Sequence, residues 1–259
     1  MSRTVLDSEL NILDRQILEL GSLVDTALGQ ALNALETNDQ AKSGMVIEAD
    51  SRIDGLRAAI EEHTIRLLTL QQPLGGKDLR YLTAALAIAG DLERTGDGAA
   101  GIAQIILRMT PLHATKPEPE LKVNSTLADG LEPKGNSQSH EVTETSIMLG
   151  LLELGEEARR VLRGTMEAFK SRDSKQARHI WEEDDVVDVR YHLVRHDLMA
   201  MLAGAHAIPA LQKDSLILQR ATYLLWIAHK LERVADHCTN ICERLIFIIE
   251  GENSIKPQP

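Results

Sequence analysis

The apolar residues Leu6, Leu10, Leu13, Ile17, Leu20, Val24, Ala27 and Ala31 step by four and three without a break. That spacing draws a single apolar seam along a helix that packs lengthwise against its neighbours. The same stepping returns at Ile147, Leu151, Leu154, Ala158, Val161, Thr165 and Ala168, each 141 residues after its counterpart. An offset of that size is half a molecule, not a solenoid period. The chain is therefore expected to fold as two copies of one helical unit.

The middle of each half agrees. Asp39, Glu48, Asp50 and Asp54 correspond to Asp173, Glu182, Asp184 and Asp188 at an offset of 134. Asp39 and Asp173 each follow a polar break, where an acidic side chain can meet free helix N–H groups. Pro73 with Gly75-Gly76 closes the second helix of the first half, and Gly204 with Pro209 is expected to close its counterpart. The third helices are expected from Lys77 to Arg108 and from Asp214 to Glu250, with Gly251 as terminator. Only 3% of residues are aromatic, which disfavours sheet. The predicted fold is all-α: two tandem three-helix bundles over 1–110 and 141–251, and a tail over 252–259. Residues 111–140, rich in Pro, Gly, Ser and Asn, read as a flexible linker.

A net charge of −11 and the lack of a basic, aromatic-laced cluster argue against nucleic acid as partner. Met1 to Leu10 holds no apolar signal core, and Leu224–Ala228 and Leu245–Ile249 are far too short to span a bilayer. A cytoplasmic protein is expected. Cys238 and Cys242 lie one helical turn apart and read as buried free thiols.

Leu92-Glu93-Arg94-x-x-Asp97 with Ile102 recurs as Leu231-Glu232-Arg233-x-x-Asp236 with Ile241. Each copy sets two carboxylates four residues apart, on one side of a helix, where like charges cost stability. Asp50 with Asp54, and Asp184 with Asp188, repeat the spacing on the second helices. Adjacent helices of a bundle can bring two such pairs together as an oxygen-rich cage for magnesium, manganese, iron or zinc. Any one pair alone is more often a solvated face. Repetition in register across both halves favours the metal reading.

His229, Glu232, Asp236, Asn240 and Glu243 share one stripe, whereas Gly90, Gly101 and Gln104 stand in the first half where His229, Asn240 and Glu243 stand in the second. Two equivalent sites are not required. His192 and His196, one turn apart, read as surface histidines, since the Glu expected of a zinc protease is missing beside them. No Glu-x-x-His di-iron motif, nucleophile triad or phosphate-cradling glycine loop is recognisable, and the chain reads as a non-enzyme. A carboxylate-bridged metalloenzyme stays open as an alternative.

Gln71-Gln72-Pro73, Lys77-Asp78-Leu79-Arg80 and Asp91-Leu92-Glu93-Arg94-Thr95-Gly96-Asp97 resemble the first half of the PhoU family of phosphate-signalling regulators. Leu231-Glu232-Arg233-Val234-Ala235-Asp236-His237 with Asn240-Ile241 and Glu243 resembles the second half, and Asp50-x-x-Ile53-Asp54 and Asp184-x-x-Val187-Asp188 match its acidic motifs. The resemblance implies two three-helix bundles and two metal clusters, of iron or zinc, with magnesium or manganese in other members. It would place Asp50, Asp54, Glu93 and Asp97 at one cluster and Asp184, Asp188, Glu232 and Asp236 at the other. It also implies a dimeric adaptor that restrains phosphate uptake and starvation signalling when phosphate is plentiful. The implied partners are a phosphate-transporter ATPase and a sensor histidine kinase. A paralogue serving another transporter or kinase is the neighbouring reading. The chain departs from the family in its longer linker, and in His229-Lys230, where Ala-Arg is usual.

Overall fold

The apolar seam of the first segment lies along one helix, α1 (Arg3–Thr37), and every seam position but Leu10 is buried; Leu10 packs against the core from its edge. The counterpart seam lies on α4 (Glu144–Ser171), buried throughout from Ile147 to Ala168. This computed structural model describes residues 3–70, 74–113, 123–125, 140–207 and 215–251. The first half comprises α1, α2 (Gln40–Leu70) and α3 (Gly76–His113). The second comprises α4, α5 (Ser174–Glu182), α6 (Asp184–Ala207) and α7 (Ser215–Glu250).

The fold is all-α apart from a short ribbon, in which β1 (Val123–Ser125) pairs antiparallel with β2 (His140–Val142). That ribbon lies within and just beyond the segment read as linker, and β1 and β2 both contact α6. The helix α3 also runs to His113, past the expected end at Arg108. No helix among the described residues is long and apolar enough to cross a membrane.

Helix ends follow local chemistry. Asp173 caps α5 by accepting from the N–H groups of Lys175 at 2.9 Å and Gln176 at 3.0 Å. Asp39 accepts from Lys42 N–H ahead of α2 at 3.1 Å. Gly251, at φ 82°, ends α7. The described part of α6 ends at Ala207, three residues past Gly204, and Pro209 lies outside the described residues. One expectation fails: the second helix of the second half is broken, into α5 and α6 at Glu183. Four consecutive acids, Glu182-Glu183-Asp184-Asp185, repel along a continuous helix, and Asp favours a fresh start over an interior position.

Buried side chains of both halves form one continuous core, joined where α3 packs on α7 and α1 on α4. The α1–α4 seam is close. A Cβ on Gly155 would stand 2.3 Å from Leu32 Cδ2, so only glycine fits there without a shift. Arg159 clamps Asp25 across the same seam through Nε at 3.0 Å and a second nitrogen at 3.3 Å. At its far end Arg172 pairs with Asp14 and lies over the rings of Tyr81 and Phe169, tying α1 and α3 to the end of α4.

Candidate metal centre

The helices α2 and α3 cross beside the first acidic phrase because residue 96 is glycine. An added Cβ there would meet Ile53 Cδ1 and Cγ2 at 3.0 Å. Ile53 is buried between Asp50 and Asp54 in sequence, and Gly96 adjoins Asp97, so this apolar contact brings the two acidic faces together. In the second half Val187 and Ala235 hold these positions, both buried, one methyl group moving from α6 to α7. Sequence reading quoted Gly96 without a role; its function depends on which helix lies opposite.

Oxygen atoms of Asp50, Asp54 and Asp97 come within 4.8 Å of one another. Among the described residues this is the single group of three or more acidic, His or Cys donors so gathered. Burial, then the charges of Asp97, Asp54 and Glu93, pushes the Asp50 carboxyl from 3.8 up to about 6. One Asp50 oxygen, Oδ1, is buried without a hydrogen-bond partner. Glu93 stands one turn from Asp97, half-buried, and its carboxyl is also raised, by burial and then by Asp97. Arg57, which pairs with Glu61 at 3.0 Å, is the first cation to offset this, ahead of Arg94.

An orphaned carboxylate oxygen amid three like charges fits a hard divalent cation and no internal partner. Asp50, Asp54 and Asp97 could hold one, and Glu93 stands one turn from Asp97.

In the second half Asp188, Glu232 and Asp236 also face one another. Burial and then Asp236 raise the carboxyls of both Asp188 and Glu232. Two histidines distinguish this cluster. His229 Nδ1 lies 3.0 Å from Glu232 Oε2, and exposed His192 opposes the rise at Asp188. Asp184 opens α6, but its side chain falls outside the described residues. His196 sits beside Asp197 at 3.4 Å, not against the cluster. Glu243 leaves the predicted stripe to accept from Trp181 Nε1 at 3.3 Å, binding α5 to α7. Cys238 and Cys242 are buried free thiols, with Cys242 Sγ 3.6 Å from Thr165 Oγ1.

The PhoU domain profile matches residues 17–106 and 151–245, one stretch on α1–α3 and one on α4–α7. The chain belongs to the PhoU family. A PhoU homologue of Streptococcus pneumoniae serotype 4, a phosphate-specific transport system accessory protein, is 30% identical over 250 residues, covering 96% of this chain and 97% of that protein. A homologue of the same description from Clostridium acetobutylicum is 26% identical over 252 residues and covers 97% of each. The crystal structure of the phosphate transport system regulatory protein PhoU from S. pneumoniae superposes with a TM-score of 0.69 at 28% identity, covering 97% of this chain and 100% of that one. PhoU from Pseudomonas aeruginosa, at 24% identity, shares the fold with a TM-score of 0.73, covering 95% and 99%.

A pH dependence follows from Asp50. A carboxyl raised to about 6 contributes stability that is fully present below its ordinary value of 3.8 and lost as pH rises through 6. In metal-free protein this contribution therefore falls between those two values. Protons compete with a cation for the same oxygen, so manganese affinity should drop about tenfold from pH 7.5 to pH 5. Calorimetric titration at the two pH values checks this, and Asp50→Asn should flatten the dependence.

Proposed function

We propose that this PhoU-family chain is a regulatory adaptor that restrains high-affinity phosphate uptake and phosphate-starvation signalling when phosphate is plentiful. The observation that carries this reading is the near end-to-end match to relatives named accessory proteins of the phosphate-specific transport system. The adaptor works in the cytoplasm, as a dimer, against the transporter ATPase and a sensor histidine kinase at the membrane face. It acts through contacts and not turnover.

Asp50, Asp54, Glu93 and Asp97 form one metal cluster in this account. Asp184, Asp188, Glu232 and Asp236 form the other. Iron or zinc is the favoured ion, with magnesium or manganese as further candidates. Bound cation supplies charge neutralisation between neighbouring helices. The carboxylates then hold α2 against α3, and α6 against α7, in the shape that partners recognise. The unpartnered Asp50 oxygen and the raised carboxyls support this role.

Affinity capture of the tagged chain from cells grown in high and then low phosphate tests the adaptor reading. The transporter ATPase or the sensor kinase should be recovered, more strongly in high phosphate. Recovery of neither in either condition overturns it.

A further inference from the structure

Beside the first acidic cluster, whose Asp97 forms part of its wall, α3 and α7 meet around a cavity of about 230 Å³. Its wall includes Arg94, Asp97 and Gly98 from α3 and Lys230, Arg233 and His237 from α7. Arg94 and Arg233 hold the same position in the two copies of the repeated phrase, 139 residues apart. The fold thus brings one cation from each half to one place.

The third cation is seated by a glycine. A Cβ on Gly101 would lie 2.4 Å from Lys230 Nζ and 2.7 Å from its Cε, so the absence of a side chain on α3 opens the slot that Lys230 occupies. Arg94 is committed to buried Asp91 at 3.1 Å, and His237 Nδ1 faces that same carboxylate at 3.4 Å. Lys230 and Arg233 have no carboxylate within ion-pair distance among the described residues. In a chain of net charge −11, these two cations on one cavity wall, neither held in an ion pair, mark a place for an external anion.

We propose that this cavity binds a compact oxyanion of the phosphate class. Arg94 and Arg233 offer planar forks that match phosphate oxygens, and Lys230 adds a point charge from the same wall. Asp97 on the wall can accept the O–H of a protonated phosphate. Sulfate has no hydrogen to offer it at neutral pH and meets only repulsion. The volume admits the ion with some water. The inference rests on the cavity's own charges and not on the adaptor reading.

Titration of inorganic phosphate into the full chain, before and after chelator treatment, tests it. Binding should persist after chelation, be weaker for sulfate, and fall at least tenfold in Lys230→Gln with Arg233→Gln. Neither substitution breaks an ion pair, and unchanged melting of the variant confirms that its fold is kept. A parallel titration with O-phosphoserine separates a phosphorylated partner from the free ion, since the tighter of the two names the source. The proposal is overturned if neither ligand binds, if the double variant binds as well as the parent, or if sulfate binds equally. Loss of binding on chelation also overturns it, because phosphate would then sit on metal at the acidic cluster.

Discussion

Replacing Asp50 and Asp97 with asparagine should raise the melting temperature of the metal-free protein and lower its response to manganese. The parent holds Asp50, Asp54 and Asp97 within 4.8 Å of one another, with Glu93 close enough to raise the Asp50 carboxyl further. Asparagine keeps the shape and removes the repulsion. It also removes the donors. A cation at a hundred times its dissociation constant stabilises a folded protein by about 2.7 kcal/mol, which for a chain of this size is roughly 5–10 °C. The double variant should lose the first cluster's share of that rise. Adding Asp188→Asn with Asp236→Asn should remove the rest. A metal-free variant that melts at or below the parent would show that repulsion among these carboxylates does not weaken the fold.

Gly155→Ala should lower stability by about 1–3 kcal/mol, the range for forcing a methyl group into a packed core. The new Cβ would lie 2.3 Å from Leu32 Cδ2, 2.7 Å from Cδ1 and 3.1 Å from Cγ, and Leu32 is only 3% exposed. Contact with Cγ means that turning the end of the side chain is not enough, so α4 must lift from α1. Gly44→Ala on α2 is the control. Nothing lies within 4 Å of its Cβ, and the gain in helix propensity should stabilise by about 0.5–1 kcal/mol. Leu32→Ala is costly alone, yet combined with Gly155→Ala it should cost less than the two separate losses added. Thermal denaturation of the four variants decides the matter. A neutral Gly155→Ala would mean that the halves meet less closely than described.

The seams on α1 and α4 were legible because burial repeats with the helix period, and Leu13, Ile17, Leu151 and Leu154 need no knowledge of their partners to be placed inside. The acidic pairs were legible because residues four apart share one face of a helix. Features that depend on which helices lie opposite were not. Gly96 and Gly155 look alike in sequence as helix-weakening residues, and only the neighbours Ile53 and Leu32 explain them. The cavity of Arg94, Lys230 and Arg233 arises from the packing of α3 on α7, a long-range contact that periodicity cannot reveal. The break at Glu183 was hidden by the match between Asp50-x-x-x-Asp54 on an unbroken α2 and Asp184-x-x-x-Asp188. Equal spacing of acids concealed unequal helix continuity.

The most direct test of the central claim is the rate of radiolabelled phosphate uptake by cells in ample phosphate, with and without this chain. Cells lacking it should keep taking up phosphate at a high rate. The parent chain should restore restraint, and the Asp50→Asn, Asp97→Asn variant should restore it only in part. Uptake that is equally low with and without the chain would contradict a restraining role.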